Sequence, residues 1–249
     1  MMNKLHIAIR SYKRAGQVKS IEIFKNANIW IPESQKKEYE KYYDNIITIP
    51  DEEDGNSSRK LNSILNRCEA EWLLIVDDDI TDICYFENGK SHSVDPDKIE
   101  DIIKHYFQLA EDLGVKLWGI NVNADPMSYR VYSPFSFLSP VLAPFSAHLK
   151  TDLRYDENIP YKEDYDFWLQ NINKYRKTLR INKFHYKHYH GSGLSGGLVG
   201  KRTMDKEKQS VENMMKKWGT KVYKGTRANG LNKRNNILNS QVKVPIKGL

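Results

Sequence analysis

The residues best placed for chemistry form one run, Asp77-Asp78-Asp79, directly after the apolar segment Trp72-Leu73-Leu74-Ile75-Val76. An uninterrupted apolar run ending in acids reads as a buried strand that delivers three carboxylates at its C-terminal end. In an open α/β sheet that end is where ligands bind. Carboxylates crowded together repel unless a cation neutralises them. A hard divalent ion, held by one or two carboxylates plus substrate phosphates, meets that need. The competing reading is an acidic surface turn that caps the next segment.

Two further segments carry reactive side chains. Upstream, Gly55-Asn56-Ser57-Ser58-Arg59-Lys60-Leu61-Asn62 is a polar loop entering a helix. Helix N-termini favour phosphate, and Arg59 or Lys60 would clamp it, although serine at a helix start is also ordinary capping. Downstream, Tyr161-Lys162-Glu163-Asp164-Tyr165-Asp166-Phe167 places acids at the start of a helix. Asp164 is the first candidate for a general base, with Glu163 and Asp166 as alternates. Acids also favour that position for the helix dipole alone.

The segment His185-Tyr186-Lys187-His188-Tyr189-His190-Gly191 has strand-like alternation, which puts His188 and His190 on one face. A neutral imidazole accepts Mn²⁺, whereas Mg²⁺ prefers oxygen; a polar strand with surface histidines is the alternative. The glycine-rich residues 191–197 would close over a bound substrate and exclude water.

These residues need elements to hold them. Apolar runs at residues 5–9, 27–31, 46–49, 72–76 and 117–122 predict strands covered on both faces. Helical spacing predicts helices over about 34–43, after Ser58 (Leu61, Ile64, Leu65, Cys68), and between Asp95-Pro96 and Gly114. The last has an apolar stripe of Ile99, Ile102, Tyr106, Leu109 and Leu113. Strands alternating with helices predict an α/β fold of the Rossmann type, a mostly parallel sheet flanked by helices. Residues 126–145 are broken by Pro126, Pro134, Pro140 and Pro144 and read as irregular. A helix over 163–177, a basic strand over 178–189 and a helix over 205–218 complete the pattern. The expected organisation is a nucleotide-binding half (1–125), an acceptor-binding half of the same domain (126–204) and a C-terminal helix with a basic tail (205–249).

The charge is uneven. The net charge is +7, and all of it comes from Lys221, Lys224, Arg227, Lys233, Arg234, Lys243 and Lys247, a stretch without acids. Such a tail contacts nucleic acid or an anionic surface, or is simply solvated. Two cysteines exclude a disulfide framework and a thiolate metal site. No apolar run approaches the ~20 residues of a membrane span and no signal peptide is visible, so a cytoplasmic protein is expected.

Taken in order, Ile7-Ala8-Ile9-Arg10-Ser11-Tyr12-Lys13-Arg14, the Gly-x-x-x-Arg-Lys-x-Asn segment at 55–62 and Ile75-Val76-Asp77-Asp78-Asp79 resemble the donor half of GT-A glycosyltransferases. The resemblance implies a nucleotide-sugar donor, a UDP-sugar, with Mn²⁺ or Mg²⁺. It implies donor contacts from Arg10, Ser11, Glu33, Arg59, Asp77 and Asp78, and metal ligation by Asp79, Asp77 and His190. Pro32-Glu33-Ser34 stands where the family usually has Asp-Asp-Gly-Ser. The helix-start acids are similar to the element that supplies the base in inverting members. Over residues 5–200 the order of motifs is most similar to the TET-associated glycosyltransferases of phages and bacteria. That implies a hydroxymethylated pyrimidine in DNA as acceptor, touched by Lys183, Lys187, Arg227, Lys233 and Arg234. The aromatic stretch 129–145 would stack an everted base or form core. The rival readings are a polysaccharide, lipid or protein acceptor, a non-catalytic nucleic-acid-binding module, and a nucleotidyltransferase.

Overall fold

The computed structural model describes residues 4–189, 203–227 and 238–244. Strands β1 (Leu5–Arg10), β2 (Asn28–Pro32), β3 (Ile46–Ile49) and β4 (Trp72–Asp77) pair in parallel in the order β3-β2-β1-β4. The sheet continues through β5 (Ile80–Glu87), β6 (Lys90–Ser93), β7 (Leu117–Asn121), β8 (Phe135–Ser136), β9 (Phe145–Leu149) and β10 (Leu179–His188). Its path is β3-β2-β1-β4-β9-β7-β10-β5-β6, with β8 on β10. Seven of these ten strands run one way; β5, β8 and β9 run against them.

Strand order reverses between β1 and β4, where Arg10 and Asp77 are paired in register. Such a switch point opens a crevice at the C-terminal strand ends. β4 alternates between two cores: Trp72, Leu74 and Val76 join one, Leu73 and Ile75 the other. That double covering explains its unbroken apolar sequence.

Short helices α1 (Ser20–Ile23) and α2 (Lys36–Tyr39) follow β1 and β2, and the longer α3 (Ser57–Arg67), α4 (Ile99–Asp112), α5 (Glu163–Tyr175) and α6 (Met204–Trp218) flank the sheet. α3 begins at Ser57, slightly before the expected start after Ser58, and its cap is Asn56 and not a serine: the Asn56 side chain accepts from the Arg59 amide at 2.9 Å. The expected helix over 34–43 is instead a 3-10 turn, Glu33–Gln35, leading into the single turn α2. On α4 the deepest residues are Ile99, Ile103, Phe107 and Ala110, while the expected Ile102, Tyr106, Leu109 and Leu113 are only partly buried beside them. Two apolar rows one residue apart cover a wide stripe, and the aromatic stack of Phe107 on Trp72 (5.3 Å) chooses the inner one.

The β5–β6 hairpin turns at Asn88-Gly89, with φ of 50° and 69°. This is the left-handed pair that an Asn-Gly turn supplies. A glycine of a different kind lies in β7. A Cβ on Gly119 would come 2.7 Å from Val141 Cγ1 and 2.9 Å from the Phe145 carbonyl oxygen. Gly119→Ala is expected to cost about 1–3 kcal/mol by overpacking, read as a lower urea midpoint. An unchanged midpoint would show that β9 yields without penalty.

The stretch after residue 204 is more than a charged tail. β11 (Tyr223–Arg227) and β12 (Leu238–Val242) form an antiparallel hairpin beside α6. Val211, Met214 and Tyr223 are buried in the same core as α3 and α5. Of the expected DNA contacts here, Lys233 and Arg234 lie outside the described residues, and the Arg227 side chain is likewise not described.

Candidate active site

A cleft of about 820 Å³ opens at the switch point. Its walls are Arg10, Ser11, Tyr12 and Arg14 at the end of β1 and just after it, Asp54 to Ser57 with Lys60 at the start of α3, and Asp77, Asp78 and Asp79. Residues 157–161 and the first turns of α6 complete it. Arg10 and Ser11, expected at the donor, therefore do line it, as do all three aspartates.

The three carboxylates have different environments. Asp77 takes an ion pair from Arg10 Nε, while its side chain stays 25% exposed. Asp78 is buried, accepts from Ser11 Oγ at 2.5 Å and is bound by Arg14. Burial raises its carboxyl to about 6 against the opposing pull of Arg14. Asp79 is also 25% exposed and meets Arg14 Nη1 at 3.4 Å. Burial and then the neighbouring Asp77 charge push its carboxyl upward, opposed by Arg14 and by His188. So Asp78 anchors the β1 loop, and Asp77 and Asp79 are the pair with surface toward the cleft.

A polar chain runs from this end of the sheet to α5. Arg10 Nη1 donates to Ser57 Oγ at 2.7 Å, and Ser57 Oγ donates to Glu163 Oε1 at 2.6 Å. Burial, then the charge of Asp164, lifts the Glu163 carboxyl to about 7, against Arg10 and Ser57. Asp164 is partly exposed and is also raised by burial, held back by the Tyr165 amide and by Lys162. The Tyr186 hydroxyl is buried where the charges of Asp77, Asp164 and Asp79 all reach it, which links the acids of β4 and α5 in space.

Asp166, the third expected acid, is withdrawn from this set. It is fully buried and holds Trp218 Nε1 (2.8 Å), Lys217 and Gln170. The helix period turns it toward α6 instead of the cleft.

Other expected contacts fall elsewhere. Glu33 is exposed and outside the cleft lining. Arg59 is also outside that lining and pairs with Glu157 at 3.0 Å. The cation that does line the cleft there is Lys60, bound to Asp54 at 3.1 Å and to the Ser11 carbonyl. His190 and the loop 191–197 lie outside the described residues. A bulge lies between Lys187 and His188, just before the expected His188 and His190 face. It leaves His188 near Asp79, whose carbonyl accepts from the Tyr189 amide at 2.9 Å. Lys187 pairs with Asp82 at 3.0 Å, and Lys183 sits over the Tyr85 ring at 5.9 Å. Both lie outside the cleft lining. Sequence reasoning missed Arg14, Asp54, Ser57, Glu157 and the whole contribution of α6, because nothing local marks them.

Among the described residues no group of three or more His, Cys, Asp or Glu side chains forms a closed metal site. The donor set that does face the cleft, Asp77 and Asp79, is all oxygen and incomplete. That fits a hard cation whose remaining positions are filled by phosphate oxygens and water.

The pH response of the fold reports on Glu163. Its folded value near 7 lies above the ordinary 4.5, so the stability it contributes is full below about pH 4.5 and lost as pH rises through 7. Glu163→Gln removes that loss. Its stability relative to wild type should therefore climb by up to about 3 kcal/mol between about pH 4.5 and pH 8. A pH-independent difference in urea midpoints would contradict the assignment.

The chain matches no family model, and no curated protein matches it in sequence. Its fold is found among solved structures. Glucosyl-3-phosphoglycerate synthase from Mycobacterium tuberculosis, in complex with Mn²⁺, UDP-glucose and phosphoglyceric acid, superposes with a TM-score of 0.55 at 10% identity. That match covers 90% of this chain and 84% of that one. The same synthase with Mg²⁺ and UDP gives 0.53 at 9% identity, over 97% and 88%. A fragment of S. aureus TarS, residues 1–349, is 13% identical at a TM-score of 0.47; the match covers 74% of this chain and 59% of that one. The synthase structures show the fold, which is the GT-A fold of glycosyltransferases: a mostly parallel sheet flanked by helices.

Proposed function

We propose that this chain is a metal-dependent glycosyltransferase that moves a sugar from a UDP-sugar to a hydroxyl group. The observation that carries the reading is one arrangement: the carboxylates of Asp77 and Asp79 line the cleft at the end of β4, and Arg10, paired with Asp77, connects through Ser57 to Glu163 at the start of α5, although Glu163 and Asp164 themselves lie outside the cleft lining. Asp79, with Asp77 beside it, would hold Mn²⁺ or Mg²⁺, whose chemistry is to withdraw charge from the departing diphosphate. Arg10 and Arg14 fix those carboxylates, and the start of α3 with Lys60 walls the phosphate side.

Asp164 takes the proton of the acceptor hydroxyl as its oxygen attacks the anomeric carbon and the bond to the diphosphate breaks. Attack from the face opposite the leaving group inverts the anomeric centre. Glu163, nearly enclosed and tied to Ser57, is the neighbouring acid, its own carboxyl raised by burial and by the charge of Asp164.

For the acceptor we propose a hydroxymethylated pyrimidine in DNA. Its support is the sequence resemblance and an exposed apolar loop after β7. There Met127, Val131 and Tyr132 are 72%, 81% and 86% exposed, a surface on which a base can stack. The test measures nucleoside-diphosphate release with Mn²⁺ and a panel of UDP-sugars, on hydroxymethylcytosine DNA and on unmodified DNA. Release that requires the hydroxymethyl group, with the matching mass gain, establishes donor and acceptor together. Release indifferent to DNA keeps the enzyme class and discards this acceptor. Pyrophosphate as product would identify a nucleotidyltransferase instead. No helix among the described residues is long and apolar enough to cross a membrane.

A further inference from the structure

Ser57 stands where three elements meet. It is the first residue of α3, it lines the cleft, and its hydroxyl joins β1 to α5. A serine at a helix start ordinarily caps the helix. Here Asn56 does that, through the Arg59 amide, so the Ser57 hydroxyl is committed elsewhere.

Its two hydrogen bonds run in one direction. A guanidinium donates and never accepts, so Ser57 Oγ accepts from Arg10 Nη1 at 2.7 Å. Its single proton then goes to Glu163 Oε1 at 2.6 Å, an order that suits Glu163 as a carboxylate. Arg10 is the shared cation: Nε pairs with Asp77 while Nη1 reaches Ser57, and the side chain is only 16% exposed. Its charge reaches both Glu163 and Asp164 and favours the ionised form of each against burial. Other groups around Glu163 do not help its charge. Asp164 repels it, and Tyr155, from the segment before α5, is a phenol that burial keeps protonated. Arg10 and Ser57 oppose them. Removing the Ser57 hydroxyl would take this acceptor from Arg10 and this donor from Glu163 in one step.

We propose that Ser57 is a positioning residue, which holds the Arg10 guanidinium between the carboxylates of β4 and the acids of α5 and so keeps the α5 acids ready to accept a proton. This rests on the glycosyltransferase reading and extends it to a side chain that touches neither Asp77 nor Asp164.

The test compares Ser57→Ala, Ser57→Thr, Glu163→Gln and the double variant Ser57→Ala/Glu163→Gln with wild type in two experiments. The first unfolds the full chain in urea without metal. Folded wild type carries Glu163 protonated at about pH 5 and ionised by about pH 8, because its value lies near 7. The Ser57 donor therefore matters more at the higher pH. Ser57→Ala should raise the unfolding constant about fivefold or more beyond its effect at low pH. In the Glu163→Gln background the effect of Ser57→Ala should be the same at both. An effect of Ser57→Ala that is independent of pH in both backgrounds marks a merely structural serine and overturns the inference.

The second experiment follows nucleoside-diphosphate release with saturating Mn²⁺ across pH. Ser57→Ala should move the acid limb of kcat/KM upward by about one pH unit, the worth of a hydrogen bond to a charged group. Turnover then falls about tenfold on the acid side and returns at high pH. Ser57→Thr keeps a hydroxyl and should restore the limb. A limb that stays in place, or a rise in KM alone, overturns the inference and leaves the proposed function intact. Wild type without turnover overturns the proposed function, and the catalytic role of this link falls with it.

Discussion

Asp79→Ala is expected to abolish Mn²⁺-dependent binding of the UDP-sugar and to lower kcat/KM by a factor of about 10³ or more, while the protein stays folded. The size follows from the role: a cation that neutralises a leaving diphosphate contributes several kcal/mol to the transition state. Folding is spared because the contact of the Asp79 carboxylate with Arg14 is long, 3.4 Å, and a quarter of its side chain stays exposed. Asp78 gives the contrast. It is buried and bound by Ser11, which also meets the Tyr39 hydroxyl at 2.8 Å, so its loss should unfold the β1 loop and not merely empty the site. Calorimetric titration of the donor with and without Mn²⁺ decides the matter. Unaltered metal-dependent binding in the Asp79 variant would remove it from the metal site.

Asp164→Asn is expected to bind donor and metal as wild type does and to lose turnover by about 10²–10⁴, the usual worth of a positioned base. Asparagine keeps the shape and the local bond from the Tyr165 amide (2.8 Å) but accepts no proton. The pH–rate profile carries the sign. Both α5 acids are raised by burial, so the acid limb of kcat/KM should lie above the ordinary aspartate range and disappear in the variant. Turnover retained with a wild-type acid limb would transfer the base to Glu163. Asp166 is no longer an alternate, since its carboxylate is committed to Trp218 and Lys217.

The acids of α5 show where local reasoning stops. Glu163, Asp164 and Asp166 look equivalent as acids in the first turn of a helix. What separates them is which other element each one meets: Ser57 for Glu163 and α6 for Asp166. Similarly, Arg59 and Lys60 are adjacent cations at the start of α3. The helical turn sends Lys60 into the cleft, against Asp54, and leaves Arg59 outside its lining, against Glu157. The histidine segment carries a bulge between Lys187 and His188, which no local pattern announced.

The sequence by itself determined the elements whose signals are local and continuous. These are the parallel strands β1 to β4, the polar loop that opens into α3, the carboxylate run at the end of β4 and the acids opening α5. Each follows from apolar runs, capping chemistry or helix dipoles acting within a few residues. Only the tertiary structure decided which side chains share the cleft. The pairing of Arg10 with Asp77 requires β1 and β4 to lie side by side, and the placement of Lys206 and Gln209 requires α6 to dock on α5. Those contacts join residues far apart in the chain. They depend on strand register and on buried charge pairs that form only when the whole core closes, which no local pattern encodes.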